Sequence, residues 1–140
     1  MSDLNLSGSC LCGSVAYEIT GKSKVFFHCH CSRCRKATGT GHASNIIMTP
    51  ESVKWTAGEN LLKSYKVPEA KRFMAVFCGN CGSPMPRVAA DNSIAVVPAG
   101  SLDKEPGVRP EARIMGGSRA EWSCADSELP VFDTYPPPSG

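Results

Sequence analysis

Two thiol pairs set far apart in the chain, Cys10-Leu-Cys12-Gly13 and Cys78-Gly-Asn-Cys81-Gly82, constrain the fold more than any other feature. Each pair ends in a glycine, which permits the positive-φ turn that points backbone N–H groups at thiolate sulfur. Two such turns facing one another offer four sulfurs to one ion, the tetrahedral arrangement of structural zinc. The ion would then tie the N-terminal strand to the middle of the chain. A redox disulfide at Cys78 and Cys81 is the competing reading, but it requires a helix starting at the first cysteine. Gly79, Gly82 and Pro84 oppose a helix there, so zinc is the expected use.

Three more thiols crowd the stretch His28-Cys-His-Cys-Ser-Arg-Cys-Arg-Lys36. Alternation along an extended segment puts Cys29 and Cys31 on one side, and a turn at Ser32-Arg33 brings Cys34 back to it. Three protein ligands leave a fourth tetrahedral position for water or substrate, which is the pattern of catalytic zinc. An ion held this way activates a thiol or polarises a carbonyl. A histidine as fourth ligand would close the site, but strand alternation points His28 and His30 away from the thiols. His42 has no neighbour in sequence that suggests a ligand role, and an ordinary surface or core position is expected. Arg33, Arg35 and Lys36 have two readings: a solvated basic turn, or contacts to an anionic, carboxylate-bearing ligand. The eighth cysteine, Cys124, stands apart and is expected to be a small, unreactive side chain.

Bunched thiols without a secretion signal suit metal binding in a reducing compartment better than disulfides. Residues 1–8 are polar, and no apolar run approaches the roughly 20 residues of a membrane-spanning helix, so a soluble, cytoplasmic protein with no membrane partner is expected. Two zinc ions add four positive charges and seven thiolates remove seven, which turns the formal +2 into −1. The overall charge thus gives no reason to expect nucleic acid as a partner.

Strand patterns dominate the 140 residues. Val15, Tyr17 and Ile19 alternate with polar or small neighbours over 14–20, predicting a strand. Further strands are expected at 24–28, at 42–48 with Thr49-Pro50 as a stop, and at 94–97. Segments 61–67 and 72–78 read as a hairpin across Pro68-Glu-Ala-Lys71, and Val131-Phe132 as a last short strand. No segment carries a sustained helical period. The expected organisation is one all-β domain over 1–135 and a Pro-rich tail over 136–140, with no internal repeat. A small, turn-rich fold of this kind gains from a metal staple.

The three cysteine motifs, in this order, resemble the glutathione-dependent formaldehyde-activating enzyme family, also called the GFA or CENP-V domain. The likeness runs from Gly8-Ser-Cys10-Leu-Cys12-Gly13-Ser-Val-Ala-Tyr17 through Cys29-His-Cys31-Ser-Arg-Cys34-Arg-Lys-Ala-Thr-Gly39 and Phe77-Cys-Gly-Asn-Cys81-Gly82. It ends with Gly100-Ser-Leu-Asp103, Trp122 and Leu129-Pro-Val-Phe132. The resemblance implies an Mss4-like fold of several small antiparallel sheets around a structural zinc held by Cys10, Cys12, Cys78 and Cys81. It implies a second, catalytic zinc at Cys29, Cys31 and Cys34, and a carbon–sulfur lyase joining glutathione to formaldehyde as S-(hydroxymethyl)glutathione. The chain departs from the family at Arg113, where a histidine is frequent.

Two other functions compete with a zinc lyase acting on a thiol adduct. A zinc-stabilised Mss4-like binding module without catalysis would be expected to carry basic or low-complexity extensions, which this sequence lacks. A protein with two purely structural zincs would hold no exchangeable ligand. The oligomeric state is not encoded in any of these motifs.

Overall fold

A computed structural model describes residues 2–123 and 129–138. Its centre is a long two-stranded ribbon, β2 (Ala16–Cys29) against β3 (Ala43–Ala57). The strand β1 (Asp3–Ser9) pairs antiparallel with the first half of β2. On the far side, β7 (Ala95–Pro98) joins β3 from Asn45 to Met48, and β6 (Arg87–Val88) extends the edge. A short strand β8 (Ala112–Ile114) runs parallel to the last three residues of β2. The hairpin β4 (Leu62–Lys66) and β5 (Met74–Cys78) forms a separate two-stranded sheet. The chain is thus mostly β, as expected, and the hairpin forms where the sequence placed it.

The two strands expected at 14–20 and 24–28 are one continuous strand, β2. Register shifts at Thr20/Gly21 and Ser23/Val25 hide this by breaking the period of two. Pro50 does not stop β3. It pairs with Gly21 beside the first register shift, and β7 reaches only as far as Met48, so the outer edge at Pro50 needs no donor. Gly21 is required there, because a Cβ would run into the Thr49 carbonyl. Val131 and Phe132 form no strand and are exposed. A seven-residue helix, α1 (Ser32–Thr38), replaces the expected turn at Ser32-Arg33. No helix among the described residues is long and apolar enough to cross a membrane.

One face of the main sheet carries the core. Leu4, Leu6, Tyr17, Ile19, Ile46, Met48 and Val97 are all buried there, spaced two apart along their strands. Alternation sends Ala43, Asn45 and Val96 to the opposite face, where Val96 is paired with Arg87 of β6. Tyr17 brings a hydroxyl into this core. Its hydroxyl donates to Ser101 Oγ at 2.6 Å, and Ser101 Oγ donates in turn to the Pro98 carbonyl at 2.7 Å. Burial pushes the Tyr17 hydroxyl up to about 12; the Asp103 carboxylate adds to this and the Ser101 hydrogen bond opposes it.

The fold therefore holds the Tyr17 proton more tightly than the unfolded chain, whose tyrosines release theirs near pH 10. Stability is unaffected below that pH and falls as pH rises from 10 towards 12, by about 2 kcal/mol in all. Urea unfolding of the wild type and Tyr17→Phe at pH 9 and pH 11.5 checks this. The wild type should lose about 2 kcal/mol more than Tyr17→Phe across that interval; parallel losses would show that Tyr17 does not carry the effect.

Candidate functional site

The first thiol cluster is built from two matching loops. After β1, Cys10 N donates to the Val15 carbonyl and Gly13 N to the Cys10 carbonyl, both at 3.0 Å. After β5, Cys78 N donates to the Ser83 carbonyl at 2.9 Å and Gly82 N to the Cys78 carbonyl at 2.7 Å. Both closing glycines have positive φ, 81° at Gly13 and 79° at Gly82, as the sequence requires. The sulfurs of Cys10, Cys12, Cys78 and Cys81 all lie within 4.8 Å of one another. Cys10 and Cys12 are 3.6 Å apart, and Cys12 and Cys78 4.0 Å. A tetrahedron with metal–sulfur bonds of about 2.3 Å has sulfur–sulfur edges of about 3.8 Å, so the spacing fits a zinc-sized ion.

The surroundings favour thiolate. Val15 N donates to Cys10 Sγ at 3.2 Å, Asn80 N to Cys78 Sγ at 3.3 Å, and Asn80 Nδ2 to Cys12 Sγ at 3.2 Å. Hydrogen bonds from Ser83 bring Cys81 down to about 5, and those from Ser14 and Asn80 bring Cys12 down to about 7. Backbone hydrogen bonds lower the Cys78 thiol, but burial and the Cys10 and Cys81 thiols outweigh them and leave it raised, so the bias to the ionised form that suits a cation lies at Cys12 and Cys81.

The second cluster, Cys29, Cys31 and Cys34, comes from the end of β2 and the start of α1. Cys31 is the N-cap of the helix, and its sulfur accepts from Cys34 N at 3.3 Å. This hydrogen bond replaces the usual hydroxyl or carboxylate cap and explains why the sequence shows no ordinary helix start. Burial raises the Cys31 pKa, but backbone and thiol hydrogen bonds outweigh it and leave the group below its ordinary value. Burial pushes the Cys34 thiol up, and the two neighbouring thiols add to that. Among the described residues no fourth His, Cys, Asp or Glu shares the 4.8 Å cluster. Cys124 lies outside the described residues.

The histidines turn to the other side, as alternation implies, but they are not ordinary surface residues. His28 and His42 rings stack at 4.0 Å, and His30 meets His42 edge-on at 5.2 Å. Ser44 Oγ lies 3.1 Å from His28 Nδ1 and 3.3 Å from His42 Nδ1. His42 therefore has partners that no local pattern revealed, because they come from β2 and from its own strand two residues on. His30 is fully buried, and burial holds its pKa low, aided by the charges of His42 and Arg113. Arg113, the departure from the family pattern, reaches His30 Nε2 at 3.3 Å from β8.

Of the basic residues expected here, Arg33 and Lys36 are exposed. Arg35 is half-buried, and its Nε has no hydrogen-bond partner among the described residues. The cation that faces the thiols is one the sequence did not single out. Arg87, on β6, lines a cavity of about 160 Å³ together with Cys34. Burial lowers its pKa and the Cys34 charge opposes that, while its guanidinium donates to the Arg72 carbonyl at 2.7 Å. A larger groove of about 650 Å³ adjoins it, lined by Ser9, Cys10, His42, Ser44, Ser101 and Asp103 among others. The two share Thr38, Asn45, Pro84 and Pro98, and so form one trough from Cys34 to Cys10.

Residues 5–118 match the family model described as glutathione-dependent formaldehyde-activating enzyme. No protein of curated function matches the sequence. A crystal structure of a Rhodobacter sphaeroides protein, 22% identical, superposes with a TM-score of 0.55 over 77% of this chain and 98% of that one. That likeness concerns the fold alone.

Cross-linking positions 10 and 78 restricts a loop of nearly 70 residues, worth about 4 kcal/mol in chain entropy. Purified protein should contain two equivalents of metal by plasma mass spectrometry. Cys10→Ser should lose one equivalent and melt about 10 °C lower or fail to fold. A Cys10→Ser protein with unchanged melting and full metal content would show that the first cluster does not bind the ion.

Proposed function

Since the chain belongs to the glutathione-dependent formaldehyde-activating enzyme family, we propose that it is a zinc-dependent carbon–sulfur lyase acting on a thiol adduct, with glutathione and formaldehyde as the partners. In this reading Cys10, Cys12, Cys78 and Cys81 hold a structural zinc, and Cys29, Cys31 and Cys34 hold a catalytic one. The observation that carries it is the contrast between the clusters: four sulfurs in the first, and three without a fourth donor among the described residues in the second.

Zinc at the second cluster would supply Lewis acidity and leave one ligand position for a substrate thiol or carbonyl oxygen. The protein's own contribution is placement. The N-cap hydrogen bond orients Cys31, and Arg87, which lines the cavity with Cys34, offsets the net negative charge of three thiolates around a divalent ion. The trough gives a thiol and a carbonyl a shared approach to the second cluster on its Cys34 side. Bringing the two together removes most of the entropy cost of a bimolecular addition. Arg33, Arg35 and Lys36 remain available as contacts for the carboxylates of glutathione. No general base is needed if the metal itself lowers the thiol pKa.

Cobalt(II) in place of zinc reports sulfur ligands by charge-transfer absorption. Glutathione should increase that band saturably in the wild type, as a further thiolate joins the second cluster. Cys31→Ser should keep one metal equivalent and slow catalysed exchange between glutathione and formaldehyde by more than ~100-fold. An unchanged cobalt spectrum and an active Cys31→Ser enzyme would overturn the proposal, and an inactive wild type with both metals bound would favour a zinc-stabilised binding module.

A further inference from the structure

The cavity beside Cys34 is unlike the groove that continues it. Its floor is the outer face of the sheet, with Ala43 and Asn45 from β3 and the paired Val96 and Arg87 from β7 and β6. Its wall is the segment 73–77 of the β4–β5 hairpin, and its end is α1 with Cys34 and Thr38. Phe73, Met74, Val76, Phe77, Met85 and Val96 make the lining largely apolar. At about 160 Å³ it is close to the size of apolar cavities that accept benzene. It opens to solvent beside the Cys34 thiol, so a small apolar group can enter it next to the second cluster.

Formaldehyde has no substituent that could fill it. Glutathione, with two carboxylates and an ammonium group, is too large and too charged for it; the roomier groove next door offers Asp103 to the ammonium group and serine hydroxyls to the rest. We propose, resting on the lyase reading above, that the cavity is the subsite for a compact apolar substituent on the carbonyl partner. The substrate class is then the thiohemiacetals of short-chain or aromatic aldehydes, up to about the size of a benzene ring. The chemistry is a balanced addition. The thiol sulfur bonds to the carbonyl carbon, the C=O π pair moves to oxygen, and the thiol proton ends on that oxygen; the reverse step returns both partners.

Val96 sets the depth of the floor. It pairs with Arg87 across the sheet edge, and its side chain lies on the cavity face rather than the core face. Enlarging it should shut the subsite and shortening it should deepen the subsite, with the thiols untouched.

The experiment uses the zinc-loaded chain in two arms. In the first, exchange between glutathione and formaldehyde, butanal or benzaldehyde is followed by NMR and expressed as acceleration over the uncatalysed exchange. Butanal and benzaldehyde should exceed formaldehyde by about tenfold or more, since each methylene in an apolar pocket is worth at least that factor. Val96→Phe should abolish the preference, and Val96→Ala should shift it to longer chains. In the second arm, 4-fluorobenzyl alcohol, an inert probe, is titrated and observed by fluorine NMR. Saturable binding should be seen in the wild type and lost in Val96→Phe. Formaldehyde preferred by wild type and both variants, with no probe binding, would overturn the subsite while leaving the lyase reading intact. If no aldehyde is turned over, the lyase reading fails, and saturable probe binding lost in Val96→Phe still establishes the apolar subsite.

Discussion

Everything in this structure depends on the four-sulfur contact between the loop after β1 and the loop after β5. The β4–β5 hairpin shares no strand pairing with the main sheet; an isolated bridge between Phe77 and Pro84 lies within its own surroundings. An isolated two-stranded hairpin is marginal in water. It is held by packing of residues such as Leu61, Leu62 and Val76 on the core, and by Cys78 and Cys81 facing Cys10 and Cys12. Since the same hairpin forms the wall of the cavity at Cys34, the first cluster shapes the approach to the second without touching it.

The second cluster depends on a different constraint, the length of β2. This strand crosses the whole sheet and delivers Cys29 at its end, where β3 and β8 flank it. Phe26 N donates to a Glu111 carboxylate oxygen at 2.8 Å, and Glu111 N donates to the Phe26 carbonyl at 2.8 Å, which fastens β8 alongside. The chain then turns into α1 at Cys31, so one residue ends the strand, caps the helix and offers a sulfur. Gly39 closes the helix in the left-handed region at φ 72°, returning the chain to β3.

Much of this was legible because thiol chemistry is local in sequence. Spacing alone grouped Cys10 with Cys12, Cys78 with Cys81, and Cys29 with Cys31 and Cys34, and the glycines after the first two pairs announced their positive φ. The 68–71 connection was legible for the same reason, as turn residues between two strand patterns. What escaped was whatever needed a partner distant in sequence. The bulges in β2 are stabilised by β3, so two periods of two looked like two strands. Helix α1 is two turns long and capped by sulfur, which no propensity scale anticipates. Arg87 carries no local motif at all; only the register of β6 on β7 puts it over Cys34.

The two faces of β2 near its end divide the electrostatic labour. On the thiol side, a divalent ion with three thiolates carries one net negative charge, and Arg87 is the described cation placed to balance it. On the other side, positive charge would compete for the same thiolates through a few ångströms of low-dielectric interior. Burial keeps His28 and His30 below their ordinary pKa, so they stay neutral at pH 7. Arg113 supplies the donor in its contact with His30 Nε2, which makes that nitrogen the acceptor and leaves the proton on Nδ1. A second proton on the His30 ring would sit on Nε2 and face Arg113, which opposes it. The replacement of the family's frequent histidine by Arg113 therefore sets the tautomer of its neighbour rather than supplying a ligand.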